Sequence, residues 1–156
     1  MDTSNVIKVK NIKLNMTAKS KEEAIEELID LLVLDGAVTD KEVFLKDVWR
    51  REQQGSTGFE NHIAIPHGKS LGVAHTTLAI GRTQHHIPWE TLDGSDVHCI
   101  ILLAVSLSDQ DEYHIRLLSK ISGSLADEEI IEKLLKENDP HRIIDLLLPK
   151  NISFNA

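Results

Sequence analysis

The stretch V-H-C-I-I-L-L-A-V, Val97 to Val105, is apolar at nearly every position. A strand with one face in solvent alternates apolar and polar side chains, whereas a strand covered on both faces is a continuous apolar run. The run is far too short to span a bilayer, which takes about 20 residues. It therefore predicts a central strand that other elements cover on both faces.

The chain before this stretch has the pattern of a strand followed by a helix. Ile7 to Met16 predicts one or two short strands, with a loose alternation of apolar residues. Ser20 is a candidate N-cap, and Glu23 three residues later completes a capping box. The helix that begins there is predicted to end at Gly36.

A second helix is predicted from Asp40, which can cap its first turn, to Gly55. The spacing of its apolar residues assigns an inner face that packs on the sheet. The residues predicted for this face are Val43, Phe44, Val48 and Trp49.

The remaining elements complete a layered architecture. A strand from Thr76 to Gly81 and a turn from Pro88 to Gly94 precede the central strand. Helices follow from about residue 111, over 128–136 and over 140–147. This order predicts an α/β fold in which a mixed β-sheet is sandwiched by helices. We expect a single domain over residues 1–156, with its core at about 6–148.

The composition limits the kind of protein. A chain of 156 residues with 41% apolar content can bury one sizeable core. Its formal charge of −8 disfavours a general affinity for nucleic acid or anionic membranes. Cys99 is the single cysteine, and the N-terminus lacks the apolar core of a signal peptide, so we expect a cytoplasmic protein without an intrachain disulfide.

Candidate chemistry is concentrated in G-F-E-N-H-I-A-I-P-H-G-K-S, Gly58 to Ser70. Pro66 cannot donate a sheet hydrogen bond, so regular pairing is expected to end there, and Gly68 can adopt a positive φ. We expect His67 to be exposed and mostly neutral at cytoplasmic pH, with one ring nitrogen available as a nucleophile. A plain surface histidine in a turn is the alternative that these residues leave open.

Three further features could serve a reaction at His67. The loop Gly55 to Gly58 offers hydroxyls and backbone N–H groups to phosphoryl oxygens, although G-S-T-G is more often only a turn. Arg51 continues the inner face of its helix, where it either extends to solvent or meets an anion. His114 extends an apolar stripe toward a helix N-terminus, where it is either structural or close to a bound anion.

These residues resemble a known family. Arg51-Glu52 followed by G-S-T-G-F-E-N-H-I-A-I-P-H-G-K is similar to the R-E…T-G-x-x-x-x-I-A-I-P-H-G signature of the enzyme IIA domain, fructose and mannitol class, of the bacterial phosphoenolpyruvate-dependent sugar phosphotransferase system. The stretch E-Y-H-I-R-L-L, Glu112 to Leu118, resembles the family's H-L-x-L-L element. The likeness covers nearly the whole chain, and the chain departs from the usual pattern at Phe59, Glu60 and His62.

The resemblance implies roles for four residues of this chain. His67 is implied to be the phosphorylated nucleophile, His114 the second active-site histidine and Arg51 the nearby cation. Thr57 falls in the motif's hydroxyl position, where it is expected to help through a hydrogen bond.

The resemblance also implies a phosphotransferase component that acts between other proteins. The small carrier protein phospho-HPr is the implied donor to His67, and an enzyme IIB is the implied acceptor, with a membrane component IIC downstream. The result is sugar uptake coupled to phosphorylation. No metal or other cofactor is implied, because both nucleophile and leaving group are imidazole nitrogens.

Two other functions are compatible with parts of the sequence. Some members of this family act as phosphorylation-dependent regulators, as in the nitrogen-related branch, where charge added to His67 would change the partner that is bound. A metal site is disfavoured, because no H-E-x-x-H or C-x-x-C pattern occurs. His85 and His86 are adjacent, and in a regular strand their side chains would point to opposite faces.

Overall fold

The computed structural model describes residues 6–109 and 111–149. The N-terminal half contains β1 (Ile7–Met16), α1 (Lys21–Asp35), α2 (Lys41–Gln54) and two short strands, β2 (Ile63–Ala64) and β3 (His67–Ser70). The C-terminal half contains β4 (Thr77–Ile87), β5 (Val97–Ser106), α3 (Asp111–Ser124), α4 (Glu128–Lys136) and α5 (Pro140–Leu147). The predicted order of strands and helices is confirmed.

Within the described residues, the strands form one mixed five-stranded sheet. β1 lies parallel to β4, β4 lies antiparallel to β5, and β2 and β3 both lie parallel to β5 on its other side. β5 therefore has hydrogen-bonded neighbours on both sides. Its residues are buried except His98, which is partly buried, and this confirms the predicted central strand.

Alternate side chains of β5 enter cores on opposite faces of the sheet. Ile100, Leu102 and Ala104 pack in the core that α1 and α2 cover. Ile101 and Leu103 pack in the core that α3, α4 and α5 cover. The sheet is therefore sandwiched by helices, and each of the buried Ile and Leu side chains contributes about 1.5–3 kcal/mol through its burial.

The predicted cap of α1 is confirmed. The Glu23 N–H donates to Ser20 Oγ at 3.1 Å, and the Glu23 carboxylate accepts from the Lys19 N–H at 2.9 Å. Gly36 ends the helix with φ of 85°, in the left-handed region that glycine adopts without strain.

The inner face of α2 differs from the prediction at one residue. Asp40 caps the helix as expected, accepting from the Val43 N–H at 3.2 Å. Phe44 and Val48 are fully buried, but Val43 is 36% exposed. The buried stripe continues through residues four apart, to Glu52, and Val43 lies beside it in the first turn.

β4 is longer than predicted, because Gly81 does not end it. Its pairing with β5 continues past Gly81, with an irregularity between Arg82 and Ile87. A Cβ atom at Gly81 would overlap the Met16 sulfur of β1, so this glycine allows close packing over the sheet. Among the described helices, none combines the length and apolar character needed to cross a membrane.

Candidate functional site

The I-A-I-P-H-G-K-S segment runs along one side of β5. Ile63 of β2 is opposite Cys99, and His67 of β3 is opposite Leu103, in a single register. The Leu103 N–H donates to Pro66 O at 2.9 Å. The prediction that pairing ends at Pro66 was wrong, because proline lacks the N–H but keeps its carbonyl, and the ladder resumes at once.

Gly68 has a packing role and does not adopt a positive φ. A Cβ atom there would lie 3.1 Å from both Val48 Cγ2 and Val48 N, and 3.3 Å from Phe44 Cε1. Only glycine allows α2 to approach β3 this closely without a shift. The contact brings the C-terminal turn of α2, which carries Arg51, toward His67.

His67 is partly buried, whereas an exposed side chain was predicted. Its Nδ1 lies 3.0 Å from Ile65 O. A carbonyl oxygen can only accept a hydrogen bond, so Nδ1 carries the hydrogen. In the neutral ring the lone pair available for reaction is then on Nε2.

Burial lowers the pKa of His67 below its ordinary value of 6.5. The hydrogen bond to Ile65 opposes this change, while the nearby Arg51 guanidinium and His114 imidazole lower the pKa of His67 further. Neutral imidazole therefore predominates at neutral pH, and this is the form that can act as a nucleophile.

His114 lies beside His67. The ring centroids are 5.5 Å apart and the ring planes make an angle of 65°. His114 is partly buried near the start of α3, and its Nε2 is shielded from solvent. The fold thus brings together two histidines that are far apart in the sequence.

Arg51 lies in the last turn of α2, where its Nη1 donates to Gly55 O at 2.7 Å. Its guanidinium group is close enough to His67 to lower the pKa of that imidazole. The side chain therefore supplies a permanent positive charge near His67.

The Gly55 to Gly58 loop is not arranged as predicted. The Thr57 N–H and hydroxyl both donate to the Glu52 carboxylate, the N–H at 3.2 Å from Oε1. The Gly58 N–H donates to Ser56 Oγ at 3.1 Å. These donors are used by Glu52 of α2 and by Ser56, so the structure does not support a cradle of N–H groups for phosphoryl oxygens.

Glu52 was quoted in the sequence analysis only as part of the R-E motif, and no role was predicted for it. It is only 7% exposed, although it is a carboxylate. The available signal was its position four residues after Val48, which continues the buried face of α2. A charged residue on such a face needs partners, and here Thr57 is one of them.

Phe59 and His62, which depart from the family pattern, both contact other residues of the fold. Phe59 packs against the core on the α3 side of the sheet. His62 lies in a cluster with His86 and His98, with ring centroids 4.7–5.6 Å apart. Among the residues that the structure describes, no group of three or more His, Cys, Asp or Glu side chains is arranged to hold a metal ion.

Comparison with known proteins shows close relatives. Residues 5–150 match the family described as "Phosphoenolpyruvate-dependent sugar phosphotransferase system, EIIA 2". The "PTS system fructose-specific EIIA component" of Haloferax volcanii is 32% identical over 146 residues, which are 94% of each chain. The "PTS system fructose-specific EIIABC component" of Bacillus subtilis is 33% identical over 147 residues, and the chain spans only 23% of that relative's length.

Solved structures show the same fold. The nitrogen regulatory protein IIA-Ntr from Neisseria meningitidis has a TM-score of 0.83 and 29% identity, over 91% of this chain and 96% of that one. Mannitol IIA from Escherichia coli has a TM-score of 0.74 and 26% identity, over 90% and 97%. The complex of enzyme IIAMTL and phosphorylated enzyme IIBMTL from Escherichia coli gives 0.75 and 25%, over 90% and 97%.

Proposed function

The chain belongs to the EIIA 2 family of the phosphoenolpyruvate-dependent sugar phosphotransferase system, and from this membership we propose that His67 carries the phosphoryl group. The protein is a phosphocarrier. The observation that supports His67 is the hydrogen bond from its Nδ1 to Ile65 O, which leaves Nε2 as the nucleophilic nitrogen.

The proposed reaction is an in-line transfer between two imidazoles. His67 Nε2 attacks the phosphorus of a phosphohistidine on HPr, the new N–P bond forms, and the N–P bond of the donor breaks. Positive charge develops on the His67 ring as the bond forms. The Ile65 carbonyl accepts from Nδ1–H throughout, and this charge strengthens the hydrogen bond.

Two neighbouring cationic or polar groups would assist the transfer. Arg51 would stabilise the negative charge on the equatorial phosphoryl oxygens, because its guanidinium is near enough to lower the pKa of His67. His114 would orient the phosphorylated ring from its position 5.5 Å away. Thr57 would act indirectly, since its hydroxyl is engaged with Glu52.

The proposed acceptor is an enzyme IIB. The solved complex of a related IIA with a phosphorylated IIB and the EIIABC arrangement of a relative both support this partner. A membrane component IIC would use the phosphoryl group downstream for sugar uptake. The prediction that the protein acts in the cytoplasm follows from these partners.

A regulatory function is the second candidate. The structural similarity to IIA-Ntr, at a TM-score of 0.83, favours it. In that case phosphorylation of His67 would change the charge of a docking surface, and no IIB would be needed. Transfer from the phosphorylated protein to a IIB encoded near its gene would support transport, and failure of that transfer would support regulation.

Labelling with radioactive phosphoenolpyruvate, enzyme I and HPr tests the assignment of His67. The wild-type protein should take up label and His67→Ala should not. His141→Ala is the matched control, since His141 is an exposed histidine at the start of α5. Undiminished labelling of His67→Ala would refute the assignment, and ³¹P NMR of the wild type should show the Nε2-phosphorylated isomer.

A further inference from the structure

We propose that Glu52 is a positioning residue that holds His67 in the Nδ1–H tautomer and so keeps Nε2 available for phosphoryl transfer. The inference rests on the proposed function of His67, because it concerns the nitrogen that reacts there. It follows from a continuous series of hydrogen bonds between the two side chains.

The Glu52 carboxylate is buried and accepts from two other elements. Lys21 Nζ, at the first residue of α1, lies 2.7 Å from Oε2. The Thr57 N–H lies 3.2 Å from Oε1 and 3.3 Å from Oε2, and the Thr57 hydroxyl donates to Oε1. Glu52 thereby ties the end of α2 to the start of α1 and to the loop that precedes β2.

The counter-ion of Glu52 is itself held in place. The Lys21 side chain is 20% exposed, and its ammonium lies 4.9 Å from the ring centroid of Trp89 and 5.8 Å from that of Trp49. These distances permit cation–π attraction. A buried carboxylate with a fixed cation and several hydrogen-bond donors has little freedom to move.

The series continues from Thr57 to His67 through the backbone. Thr57 O accepts from the Ile65 N–H at 3.0 Å. Ile65 O then accepts from His67 Nδ1 at 3.0 Å. The position of the carbonyl that selects the tautomer therefore depends on the position of Thr57, which Glu52 anchors by three contacts.

The carboxylate is needed for its acceptor capacity. Glutamine has nearly the same shape, but it offers one acceptor oxygen and a donating NH₂ group. In Glu52→Gln, that NH₂ would face either Lys21 or Thr57, each of which is a donor. Loss of one anchor should let Thr57 and Ile65 shift, so that His67 samples both neutral tautomers.

The experiment is ¹⁵N NMR of the His67 imidazole in the unphosphorylated protein. The wild type should show a protonated Nδ1 and an unprotonated Nε2, whereas Glu52→Gln should show shifts averaged toward equal populations. Uptake of label from phospho-HPr should fall by about tenfold or more, because displacement of a reacting group by 1 Å can cost about 100-fold.

Asp35→Asn is the matched control. Asp35 is also a shielded carboxylate, with 1% side-chain exposure, paired with Lys8 and Lys10 of β1. This variant should lose stability and keep the wild-type tautomer of His67. If Glu52→Gln does not fold, Lys21→Met is the second variant, which leaves the Glu52–Thr57 contacts without their counter-ion and should shift the tautomer in the same direction.

The inference would be overturned if His67 kept the wild-type tautomer in Glu52→Gln. The same result in Lys21→Met would overturn it if Glu52→Gln does not fold. An equal change in Asp35→Asn would do the same, because it would show a general effect of destabilisation. The tautomer measurement needs no phosphoryl donor. Failure of His67 labelling in the wild type would therefore refute the proposed function without bearing on the tautomer. If the tautomer changes in Glu52→Gln but this variant takes up label at the wild-type rate, the claim that Glu52 supports phosphoryl transfer is refuted.

Discussion

The imidazole of His114 packs edge-on against that of His67, with ring centroids 5.5 Å apart. His114 is supplied by α3 and His67 by β3, so the pair joins the two halves of the chain at one point. A ring beside the nucleophile can orient the phosphorylated imidazole, but it does not itself form the bond to phosphorus.

The His114→Ala variant should therefore separate uptake from onward transfer. His67 should still be labelled by phospho-HPr, because its Nδ1 partner, Ile65 O, is unchanged. Transfer to enzyme IIB should be slower, since the phosphorylated ring loses its orienting neighbour. Single-turnover assays measure the rates of the two steps. Transfer from His114→Ala to IIB at the wild-type rate would contradict the proposed role.

Arg51→Ala should slow phosphoryl transfer without unfolding the protein. Removing one group that stabilises charge in a transition state typically costs about 100- to 1000-fold in rate. Arg51 is only partly buried, and the loss of its hydrogen bond to Gly55 O should change stability by about 1 kcal/mol or less. Thermal unfolding is the control, and loss of a cooperative transition would instead indicate a structural role.

The rate of uptake should depend on pH through His67. Its pKa is lowered from 6.5 by burial and by the nearby Arg51 guanidinium and His114 imidazole, so the neutral, reactive ring persists below pH 6.5. The rate should fall only at more acidic pH. An NMR titration of His67 should give a value below 6.5 in the wild type and a higher value in Arg51→Ala; a wild-type value above 6.5 would be incompatible with this site.

His98 should make the fold sensitive to acid. Burial, followed by the charges of His86 and His62, lowers the pKa of His98 to about 4. Between pH 6.5 and about 4 the unfolded chain binds a proton at this residue and the folded chain does not, so stability falls as the pH decreases. His98→Phe should flatten the dependence of Tm on pH in this range, and an unchanged slope would exclude His98 as its source.

The fold could be predicted from the sequence because its signals are local. The apolar run of β5 and the caps at Ser20 and Asp40 each depend on residues within one element. Gly81 and Gly68 were misinterpreted for the opposite reason. Gly81 was taken as the end of its strand and Gly68 was assigned a positive φ, whereas each is needed where another element approaches closely in space.

Only part of the candidate site could be predicted, because some of its contacts join elements that are distant in the sequence. The motifs identified His67, His114 and Arg51, and the structure brings these side chains near one another. The contacts of Glu52 could not be predicted, because they depend on how the start of α1 and the loop after α2 meet in three dimensions. The burial of His67 likewise depends on the packing of α2 and α3 around β3.

Gly68→Ala should test whether close packing of α2 on β3 supports the site. The added methyl group would lie 3.1 Å from Val48 Cγ2 and from Val48 N, a backbone atom, so the helix must move. Overpacking of this kind costs about 1–3 kcal/mol, and displacement of α2 should also move Arg51 away from His67 and slow uptake of label.

Gly123→Ala is the matched control, because a Cβ atom at that position of α3 would have no atom within 4 Å. The control should be neutral or up to about 1 kcal/mol more stable, since alanine favours helix. Chemical denaturation and single-turnover labelling measure both effects, and a Gly68→Ala protein as stable and active as the wild type would show that α2 can move away without disturbing His67.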